Sequence, residues 1–352
     1  MRIALAHSHA NTLGGGERAM LELARGLRPR HEVRLLLGGF NARRTYRELA
    51  SMPHSRLTRA QWLLSSVEDD AIVANSFGAN LLALRNGRRL AYWVHSTRSV
   101  FLQPGARRID LLVRRAIDWI AVRRAAQLVA NSRYTAGRLR QLYGREADAV
   151  VYPGVDLSLF HPGDRHGEYA ITVGRLSPEK GLDRLFEIWR ELPDLPLQIV
   201  GSASTPDVGL WRSRAPDGVY FRGPLDQAEL AEAYRGAAIA VFAPHGEEFG
   251  IAPLEAMASG TPVVAWREGG LQETILDGET GYLVGDSVTF RQRVRLLLRD
   301  EQRRRAFGAA GRLRAQQFSW EQTTAAMEAV CLRLASTPPR VPAASSVPRS
   351  PS

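Results

Sequence analysis

Along most of this chain, short apolar runs alternate with stretches whose apolar positions recur every three or four residues. Apolar runs of four to six residues suit strands buried on both faces, and the longer periodic stretches suit helices laid over a sheet. In the N-terminal half, strands are expected at "RIALAH", "EVRLLL", "AIVANS", "LAYWVH", "QLVANS" and "AVVYPG". The second half restarts the pattern at "YAITVG", "LQIVG", "VYFRG", "IAVFAP" and "PVVAW". Alternation of this kind builds a parallel sheet from βαβ units, and two series of it predict two doubly wound α/β domains. "FHPGDRHGE" at 160–168 is rich in Gly, Pro and charge and reads as the linker. The domains are therefore drawn at 1–163 and 164–318. A capped, apolar-striped helix follows at 319–335, beginning at Ser319, and the Pro- and Ser-rich tail 336–352 is expected to be disordered. Such sheets bind ligands at the C-terminal ends of their strands, so two facing sheets would enclose a cleft.

Composition agrees with this and removes several classes. The chain has 352 residues, 45% hydrophobic and 24% charged, enough for two ordinary cores. No apolar run approaches the roughly 18 residues of a spanning helix, and the start "MRIALAHSHA" lacks the pattern of a signal peptide. The one cysteine, Cys331, can form no internal disulfide and excludes a cysteine-based metal site. A cytoplasmic protein is expected. Charge is distributed unevenly. Residues 1–165 hold 26 arginines against 13 acids, whereas residues 166–352 hold 21 basic and 23 acidic residues. The positive half could select nucleic acid, an anionic membrane or a phosphorylated substrate. Within it, "ARRIDLLVRRAIDWIAVRR" at 106–124 places Arg107, Arg108, Arg114 and Arg115 on one helical arc. Ile109, Leu112, Val113, Ala116, Ile117, Trp119 and Ile120 fall on the other. One reading has the apolar arc covering the sheet beneath a solvated basic face; the other has the helix meeting anionic lipid.

Forty-six of the 47 basic residues are arginine, and the single lysine, Lys180, lies in "GRLSPEKGLDRL". There an apolar strand ends at Gly174, a short polar loop follows, and a helix begins near Gly181. Arg175 at the strand tip and Lys180 can both project into the cleft beside helix-start amides, which suits a diphosphate clamp. A compact ammonium fits between two phosphate oxygens in a way the planar guanidinium does not. The second constellation is "HGEEFGIAPLEAMASGTPVVAW". Glu247 lies in a loop, Phe249, Gly250, Ile251 and Ala252 lead into a helix, and Glu255 stands in its first turn. The two carboxylates can accept hydrogen bonds from sugar or ribose hydroxyls, and the amides of Gly250 to Ala252 can bind an oxyanion. In the N-terminal half, Gly14, Gly15 and Gly16 precede an amphipathic helix and allow close approach of a phosphate or a sugar. Gly14, Gly16 and Ala19 also satisfy a dinucleotide fingerprint, but the next strand, "VRLLLGGF", ends without the acid that would hold a ribose. His95 ends an apolar strand at the cleft edge.

These stretches resemble the retaining glycosyltransferases of the GT-B fold, the group 1 or family 4 type, which include sucrose synthases, glycogen synthases and bacterial lipopolysaccharide and mannosyl transferases. The resemblance runs over nearly the whole chain. It is carried by "GGGERAMLELARGL", "VANSRYTAGRL", "VVYPGVDLSLFHP", the Arg175–Lys180 loop, the Glu247–Glu255 motif, "EGGLQETILDGETGYLV" and "FSWE". It implies two Rossmann-like domains facing a central cleft, an acceptor domain followed by a nucleotide-sugar domain, with the 319–335 helix crossing back to the first. It also implies that Arg175 and Lys180 bind the donor diphosphate, Glu255 the ribose, and Glu247 and His95 the donor sugar. Glu248 departs from the family, which usually has glycine there.

The sequence is thus read as a metal-independent retaining glycosyltransferase that uses a nucleoside-diphosphate sugar as co-substrate, with no cofactor. Catalytic roles fall to His95, Glu247, Arg175 and Lys180, and donor binding to Gly15, Gly16, Arg175, Lys180, Glu247, Phe249, Gly250, Ile251, Ala252 and Glu255. No metal ligands are assigned, and no Asp-x-Asp occurs. The acceptor is expected to be a glycan or a lipid-linked molecule in cell-envelope synthesis, reached at the inner face of the membrane through 106–124. Two alternatives keep the same residues. A sugar-nucleotide epimerase would turn over donor alone, and a basic nucleic-acid binder would hold DNA in a salt-sensitive way, although no zinc pattern or recognition motif supports it.

Overall fold

A computed structural model describes residues 1–97, 108–163, 167–202 and 205–336. The expected tail lies outside these residues except at Ser336, as do residues 164–166 of the expected linker. The first sheet contains β1 (Arg2–Ala10), β2 (Glu32–Phe40), β3 (His54–Arg56), β4 (Ala71–Ala74), β5 (Leu90–Val94), β6 (Gln127–Ala130) and β7 (Ala149–Val150). Its order is β3-β2-β1-β4-β5-β6-β7, and every pairing is parallel. The second contains β8 (Ala170–Val173), β9 (Leu197–Val200), β10 (Val219–Gly223), β11 (Ile239–Phe242), β12 (Val263–Trp266) and β13 (Gly281–Val284). Its order is β10-β9-β8-β11-β12-β13, again parallel throughout.

The period-two alternation of a strand explains why these runs are apolar on both faces. On β1, Ile3 and Leu5 enter one core while Ala4 and Ala6 enter the core on the opposite face. On β11, Ala240 and Phe242 pack on one side and Ile239 and Val241 on the other. Every apolar run named from the sequence contains a strand. Two strands were not named: β3, whose three residues are all exposed at the sheet edge, and β13, a buried "GYLV".

Helix Trp320–Ala335 returns to the first sheet. Trp320, Met327, Val330, Cys331 and Leu334 share a core with Ile3, Leu5 and Trp93, and the Ser319 hydroxyl caps the helix through the Gln322 amide. Cys331 is fully buried, and burial pushes its thiol up to about 12.

Helix Arg108–Arg124 does not cover the sheet with its apolar arc, although Arg114 and Arg115 are exposed, as a solvated basic face requires; the side chain of Ile109 lies outside the described residues. Leu112 is 63% exposed, Val113 53%, Trp119 45% and Ile120 41%, whereas Asp118, on the arginine arc, is 1% exposed. Asp118 is fixed inside by Asn80 Nδ2 and by the Tyr143 hydroxyl, each at 2.6 Å. A carboxyl held by two buried donors favours this face turning inward, because removing it would strand the Asn80 amide and the Tyr143 hydroxyl. Ala121 and Val122 complete the inner face. Arg107 and the side chain of Arg108 lie outside the described residues.

Candidate active site

In each sheet the chain order reverses direction once, between β1 and β4 and between β8 and β11, and a ligand crevice forms beyond the strand ends at such a point. The two loops singled out in the second half leave β8 and β11 and are therefore neighbours in space. After β8 come Gly174, Arg175, the short 3₁₀ turn Pro178–Lys180 and helix Leu182–Trp189. After β11 come Ala243 to Gly250 and helix Ile251–Ala258. The loops are tied by His245 N–H to the Glu179 carbonyl and by Arg184 Nη1 to the Pro244 carbonyl, both 2.9 Å. Lys180 Nζ meets Glu247 Oε2 at 2.6 Å, with both side chains mostly buried. Arg175, 62% exposed, pairs with Glu179 Oε1 at 3.2 Å, a contact that solvent leaves weak and easily exchanged. Gly181 makes the approach between the loops geometrically feasible. Its φ is +70°, and a Cβ there would sit 1.8 Å from the Ala243 carbonyl oxygen. Gly181→Ala is expected to cost about 2 kcal/mol or more of stability, read as a lowered Tm, and to weaken nucleoside diphosphate binding with it.

The Glu247 loop is braced from behind by the "EGG" turn. Gly270 N–H donates to the Glu247 carbonyl at 2.8 Å, and Glu268 accepts from Gly246 N–H at 2.8 Å while pairing with Arg184 at 2.9 Å. Gly269, at φ +63°, has no room for a Cβ, which would stand 2.0 Å from the same carbonyl. Glu248 and Glu273 then reach the N-terminal domain. Glu248 Oε1 accepts from Ser96 Oγ at 3.1 Å and from Thr97 N–H at 3.2 Å, and its carbonyl accepts from Ser132 Oγ at 2.5 Å. Glu273 accepts the first-turn amides of helix Arg133–Tyr143, from Arg133 at 2.8 Å and Tyr134 at 2.7 Å, and the Tyr152 hydroxyl at 2.8 Å. A carboxylate at a helix N-terminus is favoured both by these bonds and by the helix dipole.

These contacts join Ser96 and Thr97, which follow His95 just beyond the end of β5, to Glu248, the neighbour of Glu247. The His95 ring packs on Trp93 with centroids 4.3 Å apart, its Nε2 is buried without a partner, and desolvation pushes its pKa down to about 3. The ring is therefore a neutral hydrogen-bonding group at physiological pH. Gly15 approaches Ile251 across the cleft, where a Cβ would lie 3.4 Å from its Cδ1, and Gly16 packs on the His7 ring. Glu255 lies deeper. Its nearest hydrogen-bond partner is the Tyr234 hydroxyl at 3.4 Å, and burial pushes its carboxyl up to about 7 against the opposing pull of Arg18. Arg18, 7% exposed, pairs with Glu22 at 3.1 Å, meets Asp156 at 3.7 Å and stands 5.7 Å from the Tyr46 ring.

Of the sequence-predicted residues, Lys180 and Glu247 are thus in direct contact, Arg175 stands in the same loop as Lys180, and His95 is linked to Glu247 through Ser96 and Glu248. Phe249 does not offer its side chain to a ligand. It is 2% exposed and packs on Tyr152 and Phe318 at 5.6 and 5.8 Å, anchoring the loop to the core. The sequence did not single out Arg18, Glu268 or Glu273 by role, although each stands inside a quoted motif. Nor did it point to His7, whose Nδ1 lies 2.5 Å from Asn75 Oδ1, or to Asn131, whose buried Oδ1 has no partner.

Two doubly wound domains with cationic and carboxylate loops facing each other across their strand ends define the GT-B class of two-domain α/β proteins. HepE from Anabaena, in complex with UDP and glucose, superposes with a TM-score of 0.81 at 20% identity, covering 95% of this chain and 100% of that one. Sucrose-phosphate synthase from Thermosynechococcus elongatus superposes at 0.79 with 22% identity, covering 95% and 99%. Residues 13–159 match Glycosyltransferase Family 4, and residues 161–314 match Glycosyl transferases group 1. A D-inositol 3-phosphate glycosyltransferase from Corynebacterium aurimucosum is 33% identical over 298 residues, 76% of this chain and 67% of the relative. Another from Segniliparus rotundus is 37% identical over 224 residues, 56% of this chain and 50% of the relative. The chain belongs to the group 1 and family 4 glycosyltransferases. It spans about half the length of most of these curated relatives.

Proposed function

We propose that the chain transfers a sugar, with retention of configuration, from a nucleoside-diphosphate sugar on the C-terminal domain to an acceptor on the N-terminal domain. The observation that carries this reading is the Lys180–Glu247 pair, poised where the β8 and β11 loops meet. A diphosphate entering beside Lys180 exchanges one anionic partner for another and frees Glu247 for sugar hydroxyls. Arg175 and Lys180 then stabilise charge developing on the departing diphosphate, the work a metal ion does elsewhere. His95, neutral, donates to or accepts from the sugar. Retention follows from the family resemblance. Metal independence rests on the two cations, and turnover is expected to be unchanged by a chelator such as EDTA, measured with the donor found below. The complex of HepE with UDP and glucose and the similarity to D-inositol 3-phosphate glycosyltransferases make UDP-sugars and phosphorylated polyols the first to try. Screening UDP-, GDP- and ADP-sugars by thermal shift tests the reading, because a true ligand at 100 times its Kd stabilises by about 2.7 kcal/mol. No stabilisation by any nucleotide sugar, with none by the free diphosphates, would reject it.

The acceptor is taken to be held at an anionic membrane, as in envelope glycolipid or polysaccharide synthesis at the inner face. The outward stripe of Leu112, Val113, Trp119 and Ile120 supports this. Arg123 stacks on Trp119 at 4.2 Å, and Arg85, Arg88, Arg89 and Arg124 line a surface cavity of about 450 Å³. An apolar stripe rimmed by arginine suits a lipid interface, whereas a second copy would bring like charges together. Among the described residues no helix is long and apolar enough to cross a membrane. The combined variant Leu112→Ser, Val113→Ser, Trp119→Ser is expected to lose sedimentation with phosphatidylglycerol vesicles at low and high salt alike while keeping nucleotide binding. If the unaltered protein ignores such vesicles at low salt, the acceptor is not membrane-held.

A further inference from the structure

We propose that Glu248 is a positioning residue that fastens the donor-sugar loop to the loop carrying His95, so that its carboxylate holds the two halves of the site in one geometry. Glu248 adjoins Glu247 in the chain, and Ser96 adjoins His95. Through the bonds from Ser96 Oγ and Thr97 N–H to Glu248 Oε1, Glu247 and His95 are connected across the cleft by one side chain and two short backbone steps. The Ser132 hydroxyl, which caps helix Arg133–Tyr143, takes the Glu248 carbonyl as a further anchor.

The fastened state is held by directed contacts and not by charge. The Glu248 carboxyl is desolvated and lies beside the Glu247 carboxylate, and these effects outweigh Thr97 N–H, Ser96 Oγ and the Lys180 ammonium, so its pKa is raised. Separating the domains would exchange both hydrogen bonds from the other domain for water and lose the fixed placement they impose. His95 gains most from the fastening. Among the described residues the imidazole packs on the Trp93 ring, its Nε2 is buried without a partner, and the His95 carbonyl accepts from Asn131 Nδ2 at 3.4 Å, so the place of the ring follows that of residues 95–97. Placement errors of about 1 Å at such groups cost on the order of a hundredfold in rate. The catalytic consequence rests on the sugar-transfer reading above, whereas the fastening itself does not.

Both parts can be measured separately. Dyes placed at Gly137→Cys and Gly209→Cys report the domain separation, since a side chain added at either position meets nothing within 4 Å and the native Cys331 is buried. In Glu248→Ala, single-molecule transfer efficiency without nucleotide is expected to shift to longer and broader distances, and UDP or GDP affinity to change by less than about twofold. With the donor identified by thermal shift, kcat is expected to fall about tenfold or more at nearly constant donor KM. Glu248→Gln keeps an acceptor oxygen for Ser96 and Thr97 and is expected to restore the distance distribution and most of kcat. An unchanged distance distribution in Glu248→Ala overturns the proposal. So does a loss of nucleoside diphosphate affinity in step with kcat, which would mark a collapsed donor loop. Should the unaltered protein turn over no nucleotide sugar, the transfer reading fails and the distance comparison alone decides the fastening.

Discussion

Lys180→Ala is expected to weaken binding of the cognate nucleoside diphosphate about thirtyfold, or about 2 kcal/mol, the usual worth of a charge-assisted contact. Turnover should fall further, by about 10²- to 10³-fold, because negative charge on the diphosphate grows as the sugar leaves and the ammonium is worth more then than in the ground state. Lys180 is bonded to Glu247 at 2.6 Å, so its removal also leaves a mostly buried carboxylate beside Glu248 without its cation. The double variant Lys180→Ala, Glu247→Gln separates the two effects. It should recover thermal stability relative to Lys180→Ala alone and recover none of the diphosphate affinity. Lys180→Arg should impair turnover as well, since a planar fork cannot replace a point charge between the β8 and β11 loops. Calorimetric titration with UDP and GDP decides the matter, and unchanged affinity in Lys180→Ala removes the clamp.

The sequence made this lysine conspicuous but could not show that Glu247 is its partner, since 67 residues separate them. What brings them together is the strand order β8-β11, and that was legible only as the general rule that ligands gather beyond strand ends. The fold was legible because both faces of each sheet are covered, which makes its strands continuous apolar runs. β3 escaped notice because an exposed edge strand of three residues carries no such run, and β13 because a four-residue "GYLV" inside a glycine-rich motif reads equally as loop. Helix Arg108–Arg124 shows a different limit. Its periodicity correctly separates two arcs, but the choice of the inward arc depends on Asn80 and Tyr143, which are 38 and 25 residues from Asp118 and supply the donors that hold it. Glu248 shows the same limit across domains. A departure from the family's glycine marked the position, and only the geometry revealed that its carboxylate serves Ser96 and Thr97, about 150 residues away.

Glu255→Gln is expected to make the protein more stable and worse at binding its donor, and the pH dependence of both effects follows from one carboxyl. Desolvation holds the folded-state pKa at about 7, above the ordinary carboxylate value of 4.5. Below pH 4.5 the group is protonated whether the chain is folded or not, and it contributes nothing. As pH rises from there toward 7 the unfolded chain releases this proton and the folded one retains it, so folding stability falls; above pH 7 the loss is complete, at most about 3 kcal/mol. The amide of Glu255→Gln cannot ionise. Its Tm should exceed that of the unaltered protein at pH 8 and converge with it below pH 5. The ligand effect runs in the opposite direction. A ribose hydroxyl donating to the ionised carboxylate makes a charge-assisted bond, so the substitution should weaken nucleoside diphosphate binding at pH 8 by about 10- to 100-fold. In the unaltered protein the same affinity should decline as pH drops below about 7, because binding then has to drive off a proton, and Glu255→Gln should flatten that decline. Tyr234 and Arg18, the neighbours that favour the charged form, remain in place in the variant, so a collapse of their packing would appear as a lower Tm rather than a higher one. A variant that is less stable at pH 8 would show that the carboxyl holds its surroundings together, and one that binds UDP and GDP as well as the unaltered protein would show that it does not hold the ribose.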